Sequence, residues 1–157
     1  MSGIGEVSRL DEKDRKILSV LLNDSRVSLR QIAKRTGLSL STVASRLRRL
    51  ESLGIIKKYT VEIDLEKLGY VFPVIIDVKV SKGKLFEVEK EIAKHPNVLA
   101  VYDITGEYDV SVYAVFKSRK ELDNFVKMLQ RMNYVDRTHT KLILNVVKDE
   151  RGTIILD

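Results

Sequence analysis

The 157-residue chain has no cysteine, only two prolines and only two histidines. Without cysteine there is no disulfide, no thiolate metal site and no cysteine nucleophile, and the composition suits a reducing cytoplasm. The first eight residues, Met1 to Ser8, lack a long apolar run, so no signal peptide or membrane anchor is visible. They are expected to form a flexible N-terminus, on a cytoplasmic chain without a membrane partner. Glutamine is scarce too, at Gln31 and Gln130, while Lys, Glu and Arg abound, a balance compatible with a thermophilic source. What is present, 44% hydrophobic and 32% charged residues, describes a soluble folded chain of one domain or two small ones.

Acid is missing from one segment in particular. Between Arg26 and Lys58 stand nine basic residues (Arg26, Arg30, Lys34, Arg35, Arg46, Arg48, Arg49, Lys57, Lys58) against the single acid Glu51, a local charge of +8 in a chain whose total is +6. A solvated helix face normally interleaves Glu and Asp to gain i,i+4 pairs. A basic charge confined to one short segment instead has the footprint of a nucleic-acid-binding module.

The same segment predicts helices. Asp11 can cap a helix whose apolar residues Ile17, Leu18 and Leu21 share one face, with Asn23 and Asp24 at its end. Ser28 and Gln31 form a capping box that opens a second helix, burying Leu29, Ile32 and Ala33 and closed by Gly37. Ser39 or Ser41 caps a third, whose stripe is Val43, Leu47, Leu50 and Leu53, with Ala44 beside it, before Gly54. Two short helices around a glycine-containing turn are the helix-turn-helix pattern, in which the second helix enters the major groove. Off the apolar stripe lie Ser41, Thr42, Ser45, Arg46, Arg48 and Arg49. Small hydroxyls there allow close approach, and the three arginines, which should contribute most, can reach guanine edges or phosphates. Beyond Gly54, Tyr59, Val61 and Ile63 alternate with polar residues as a strand would, and Lys57 and Lys58 at its start can lie along phosphates as a short wing. The competing use of such a winged fold is protein contact.

Past Asp64 the charge evens out, with 15 basic and 14 acidic residues over 65–157. Residues 64–70, with Gly69 inside and Pro73 just beyond, read as a linker between a domain at 9–63 and another at 71–157. Val74, Ile76, Val78 and Val80 alternate as a strand, and Leu85, Val88 and Ile92 form a helical stripe that Pro96 stops. Val98 to Ile104 and Val110 to Phe116 alternate again. Leu122, Phe125, Val126 and Leu129 mark another helix, Leu142, Leu144 and Val146 belong to a last long strand with Thr138 and Thr140 near its start, and Ile154 to Leu156 form a short one. The order strand, helix, strand, strand, helix, strand is the ferredoxin-like βαββαβ arrangement, so the fold class is α+β. Its uncovered sheet face is expected to be rich in Val and Ile and to serve self-association.

Between the second and third strands, Asp103, Glu107 and Asp109 surround Gly106. They can receive the ammonium group of a small ligand or cap backbone N–H groups of the turn, and spacing by itself favours the turn.

The chain resembles the leucine-responsive regulatory protein/AsnC family of transcription regulators over roughly Leu10 to Leu156. The resemblance is carried by Leu10-Asp11-Glu12-Lys13-Asp14-Arg15-Lys16-Ile17-Leu18, Ile32-Ala33-Lys34-Arg35-Thr36-Gly37-Leu38-Ser39, Arg46-Leu47-Arg48-Arg49-Leu50-Glu51, Gly54-Ile55-Ile56-Lys57-Lys58-Tyr59 and Gly106-Glu107-Tyr108-Asp109. Leu40 departs from the pattern, which often has proline there, at little cost since proline only pre-sets that turn. The resemblance implies a winged helix-turn-helix domain that binds double-stranded DNA, tethered to a ferredoxin-like (RAM-type) domain that senses a small effector, usually an amino acid. It also implies homodimers through the sensing domains, able to assemble into tetramers or octamers.

On this basis the DNA-binding set is Ser39, Ser41, Thr42, Ser45, Arg46, Arg48, Arg49, Lys57 and Lys58. The effector set implied by the resemblance is Tyr102, Asp103, Gly106, Glu107, Tyr108 and Asp109, with Thr138 and Thr140 from the last strand, so the acidic turn takes a mixed role. No metal, cofactor or catalytic residue is expected. Two alternatives stay open: an enzyme similar to the siroheme decarboxylases, with His95 and His139 as candidates, and an architectural protein that wraps DNA with little sequence preference.

Overall fold

Three side-chain caps start the three amino-terminal helices. The computed structural model describes residues 10–81 and 83–149, so the expectations for residues 1–8 and for a strand at Ile154 to Leu156 lie outside the described residues. Asp11 caps α1 (Glu12–Asn23), its carboxylate accepting the Asp14 N–H while Asp14 accepts the Asp11 N–H. Ser28 and Gln31 make the same reciprocal pair at α2 (Leu29–Thr36), and Ser39 Oγ accepts the Thr42 N–H at α3 (Leu40–Ser52). Each cap satisfies N–H groups that a helix start leaves unpartnered, which stabilises by about 1 kcal/mol. Gly37 ends α2 in the left-handed region, at φ 70°. The three helices close over Ile17, Ile32, Val43, Leu47 and Leu50. Leu53, expected in this core, is half exposed, because α3 ends before it and the apolar stripe runs off the helix.

The strand expected over Tyr59 to Ile63 is not formed among the described residues. Tyr59, Val61 and Ile63 lie in an exposed segment without regular secondary structure. Alternation supplies two faces, but a strand also needs a neighbour, and no other strand of this unit is described. The segment is tied locally instead. The Tyr59 hydroxyl donates to Glu51 at 2.9 Å, and burial together with that carboxylate pushes its pKa up to about 12.

The described residues form two compact units, 10–62 with Asp149, and 63–148. The stretch expected as a linker is folded into the second unit. Asp64 accepts the Lys67 N–H at 3.1 Å, and the Leu65 carbonyl accepts the N–H groups of Leu68 and Tyr70. Then follow β1 (Phe72–Val80), α4 (Leu85–Ile92), β2 (Val98–Asp103), β3 (Val110–Phe116), α5 (Arg119–Arg131) and β4 (Val135–Leu142). The sheet order is β2-β3-β1-β4 with every pair antiparallel, which is the split-βαβ topology. One sheet face, with Val74, Ile76, Val78, Val112 and Ala114, packs on Val88 and Ile92 of α4 and on Phe125 and Leu129 of α5. No helix among the described residues is long and apolar enough to cross a membrane.

The other face differs from the expectation. Cross-strand partners share a face, and here Ile75 is grouped with Tyr113 and Lys141, Asp77 with Ser111 and His139, and Lys79 with Arg137. Asp77 accepts the Ser111 hydroxyl at 2.9 Å and Lys141 Nζ at 2.5 Å. Alternation has sent most of the Val and Ile side chains to the helices, so the open face mixes these polar groups with Ile75, Tyr113 and Val115. The exposed apolar residues cluster after β4 instead: Leu144 and Val147 are 91% and 93% exposed.

Candidate nucleic-acid interface and effector loop

The first turn of α3 presents hydroxyls. Ser39, Ser41 and Ser45 are exposed and Thr42 half-buried, with Ser39 Oγ 3.0 Å from Ser41 Oγ and 2.8 Å from Thr42 Oγ1. Ser39 serves as cap, and its expected DNA role comes second to that. Arg48 is exposed, with Nε donating to the Ala44 carbonyl at 3.3 Å, and the end of its guanidinium has no carboxylate partner among the described residues. Lys57 and Lys58 are exposed on the irregular segment after α3, and so are Arg26, Arg30 and Lys34 around α2. These last three belong to the basic segment, yet helical spacing alone gave no reason to assign them to the interface.

Arg46 and Arg49 are placed differently from Arg48. Arg46 Nη1 donates to Asp11 at 2.5 Å and lies 3.4 Å from both oxygens of Asp14, and Arg49 Nη1 donates to Asp14 at 2.8 Å. Asp14 has no solvent exposure. Two of the three arginines expected to contribute most to DNA contact are thus bound to carboxylates at the start of α1. The Asp11 carboxyl is held below its ordinary range, first by the Asp14 N–H and then by Arg46, and the Arg46 guanidinium is raised in turn by Asp11.

In the second unit, the loop from Tyr102 to Asp109 closes where Ile104 N–H meets the Asp109 carbonyl at 2.9 Å. Gly106 at φ 123° makes the turn, a conformation open to glycine. Asp109 accepts the Val80 N–H at 2.8 Å and Lys79 Nζ at 3.1 Å, which hold its carboxyl below the usual range, the backbone N–H first. Glu107 pairs with Arg137, whose guanidinium lies 5.0 Å from the Tyr108 ring centre, and His139 is 6.0 Å from the same ring. Two of the three carboxylates therefore already hold cations of this chain. Asp103 and Tyr102 are exposed at the end of β2. Thr138 and Thr140 pair with Val78 and Ile76, on the helix-covered face, and Gln130 of α5 donates to Thr138 Oγ1 at 3.4 Å. The structure therefore gathers Glu107, Tyr108, Arg137 and His139 on the open face and leaves the threonines on the other. Nothing in the sequence marks Arg137, since its link to Glu107 is purely tertiary.

The two histidines lie on opposite faces as well. His95 packs 4.6 Å from Phe125, its Nδ1 accepts the Asn97 N–H at 3.2 Å, and burial lowers its pKa. It lines a cleft of about 360 Å³ with Asn97 and Glu121. His139 stands with Asp77 and Ser111 on the open face. One tetrapyrrole cannot be served by both from the same chain.

Residues 73–153 match the Lrp/AsnC ligand-binding domain, and residues 10–57 match the winged helix-turn-helix DNA-binding model. The chain is 44% identical over 140 residues to the HTH-type transcriptional regulator FL11 of Pyrococcus horikoshii, covering 89% of this chain and 93% of FL11. Its fold is similar to that of B. subtilis LrpC, with a TM-score of 0.81, 31% identity and coverage of 89% and 98%. It is also similar to a transcriptional regulator of Neisseria meningitidis solved in complex with L-Met, with a TM-score of 0.86, 27% identity and coverage of 94% and 97%. With both units matched in order and the relatives covered over nearly their whole length, the chain belongs to the Lrp/AsnC family of DNA-binding transcription regulators.

Proposed function

We propose that this regulator binds specific duplex sites through α3 and that an amino acid bound between sensing units modulates the binding. The observation that carries the DNA side is the exposed hydroxyl turn of α3 followed by Arg48. In this reading Ser41, Thr42 and Ser45 face the bases, Ser39 holds the turn, and Arg48, Lys57 and Lys58 meet the groove edges and phosphates. Two copies would place two such helices on half-sites one helical turn apart, or a multiple of it. Arg46 and Arg49 support the helix from behind.

The effector side is supported by the L-Met bound to the similar Neisseria protein and by the loop of Tyr102, Asp103, Gly106, Glu107, Tyr108 and Asp109. Within that loop Asp109 maintains the turn, whereas Glu107 and Tyr108, with Arg137, offer charge and an aromatic surface to an amino acid's ammonium and carboxylate groups. Thr138 and Thr140 would complete such a site only from another copy. The exposed Leu144 and Val147 support self-association, to a dimer or a larger assembly, in the cytoplasm.

The test is binding of the purified protein to its own upstream DNA and to scrambled DNA of equal length, at two salt concentrations, with and without a pool of amino acids. Preference for the native sequence, altered by the pool, is the expected result. Equal and steeply salt-dependent binding to both would replace regulation with an architectural role, and absence of binding would remove the DNA reading.

A further inference from the structure

Asp14 is a charged group with no solvent exposure, in the middle of the first turn of α1. A buried carboxylate persists only when its lone pairs are filled by donors. Here they are filled by the Asp11 N–H, by Arg49 Nη1 at 2.8 Å and by Arg46 Nη1 at 3.4 Å, while Asp11 takes Arg46 at 2.5 Å. Both guanidiniums come from α3, three residues apart and so on one face. Two arginines stand against two aspartates, so this face of α3 is neutral before any DNA arrives.

The balance of costs decides where these arginines remain. A phosphate contact on a solvated duplex surface gains little beyond counterion release. Taking Arg49 away from Asp14 would leave the buried carboxylate only the Asp11 N–H and the longer Arg46 contact, which costs more. The exposed Arg48, without a carboxylate partner among the described residues, carries no such penalty.

We propose that Asp14 is a positioning residue for DNA recognition: it clamps Arg46 and Arg49, fixes α3 on α1 and keeps both guanidiniums off the phosphates. The inference rests on α3 being the DNA-facing helix. Its consequence is that the three neighbouring arginines are not equivalent, and that Arg48 alone among them contributes to the salt dependence of binding.

The experiment measures affinity of the full chain for its upstream duplex across a salt series, for the unmutated protein and for Arg46→Gln, Arg48→Gln, Arg49→Gln and Asp14→Asn. Each phosphate contact contributes about 0.9 to the slope of log affinity against log salt. Arg48→Gln should lower the slope by about that amount for each protomer on the duplex. Arg46→Gln and Arg49→Gln should weaken binding several-fold at every salt concentration with the slope unchanged. Asp14→Asn should steepen the slope as a freed guanidinium reaches the backbone, and if that variant does not fold, the two arginine variants carry the test. A slope loss of about 0.9 per protomer in Arg46→Gln or Arg49→Gln, with intact binding by the unmutated protein, overturns the clamp alone. A folded Asp14→Asn protein whose slope does not steepen overturns it too. No duplex binding by the unmutated protein overturns the DNA reading, and the clamp with it.

Discussion

The Asp109 carboxylate accepts the backbone N–H of Val80 at 2.8 Å. That N–H points towards β3, which begins only at Val110, so no backbone carbonyl stands opposite it. The side chain supplies the missing acceptor and draws Lys79 into the same contact at 3.1 Å. Asp109→Ala should therefore cost about 1–3 kcal/mol, the usual loss when a charged acceptor leaves a part-buried N–H unpaired. The sign with pH follows from its depressed pKa. Its stabilisation is complete above the ordinary value of 3.8 and is lost as the pH falls through the lower folded value. Urea unfolding at neutral pH and near pH 3 checks both parts, since the alanine variant lacks that share of the acid loss.

Asp14 makes a prediction without DNA. Asp14→Ala removes the acceptor of the partly exposed Arg49 guanidinium, which then finds water, while Arg46 keeps Asp11, so the expected loss is about 2–3 kcal/mol rather than that of a fully buried pair. Combined with Arg49→Gln the two losses should not add, leaving a coupling of about 1 kcal/mol or more in a double-mutant cycle followed by thermal unfolding. Additive losses would show that the contact at 2.8 Å contributes nothing in solution.

Gly37 tests backbone conformation in isolation. Its φ is 70°, and a Cβ built there meets nothing within 4 Å. Gly37→Ala should then cost about 1 kcal/mol from the left-handed backbone alone, with no steric term. A loss of several kcal/mol in a melting experiment would indicate a clash that this turn does not contain.

His95 should make stability fall on mild acidification. Protonation would turn Nδ1 from acceptor to donor and leave the Asn97 N–H without its partner, and burial already holds the imidazole below its ordinary pKa of 6.5. A histidine with a lowered folded pKa contributes fully above the unfolded value. Its contribution declines as pH drops through 6.5 and levels off below the folded value. Unfolding midpoints of the unmutated protein and His95→Gln between pH 7.5 and pH 5 should converge as the pH falls. Parallel curves would remove His95 from that dependence.

Helix starts were the most legible part of this chain. Ser28 and Gln31 are three residues apart, and the structure pairs them reciprocally, because a capping box is a local geometry. Locality also limited the reading. Asp11 could be recognised as a cap, but the burial of Asp14 under Arg46 and Arg49 joins residues 32 and 35 positions apart. Helical spacing marks those arginines only as lying off the apolar stripe. The strand expected at Tyr59 shows the same limit, since alternation describes one strand and a ladder needs two. In the effector loop, Gly106 announced the turn, whereas the hold of Asp109 on Val80 and of Glu107 on Arg137 depended on which strands became neighbours.

Tyr108 stands with Arg137 and His139 on one side of the sheet, and Thr138 and Thr140 stand on the other. No metabolite reaches through a hydrogen-bonded sheet. A site built from both sets, as proposed, must take one wall from each of two molecules, and neither molecule holds half of the affinity in reserve. Occupancy would then rise with the amount of regulator as well as with the nutrient, so dilution of the protein would deafen it even in a saturating medium. Such a sensor reports a product of two abundances, the cell's supply and its own.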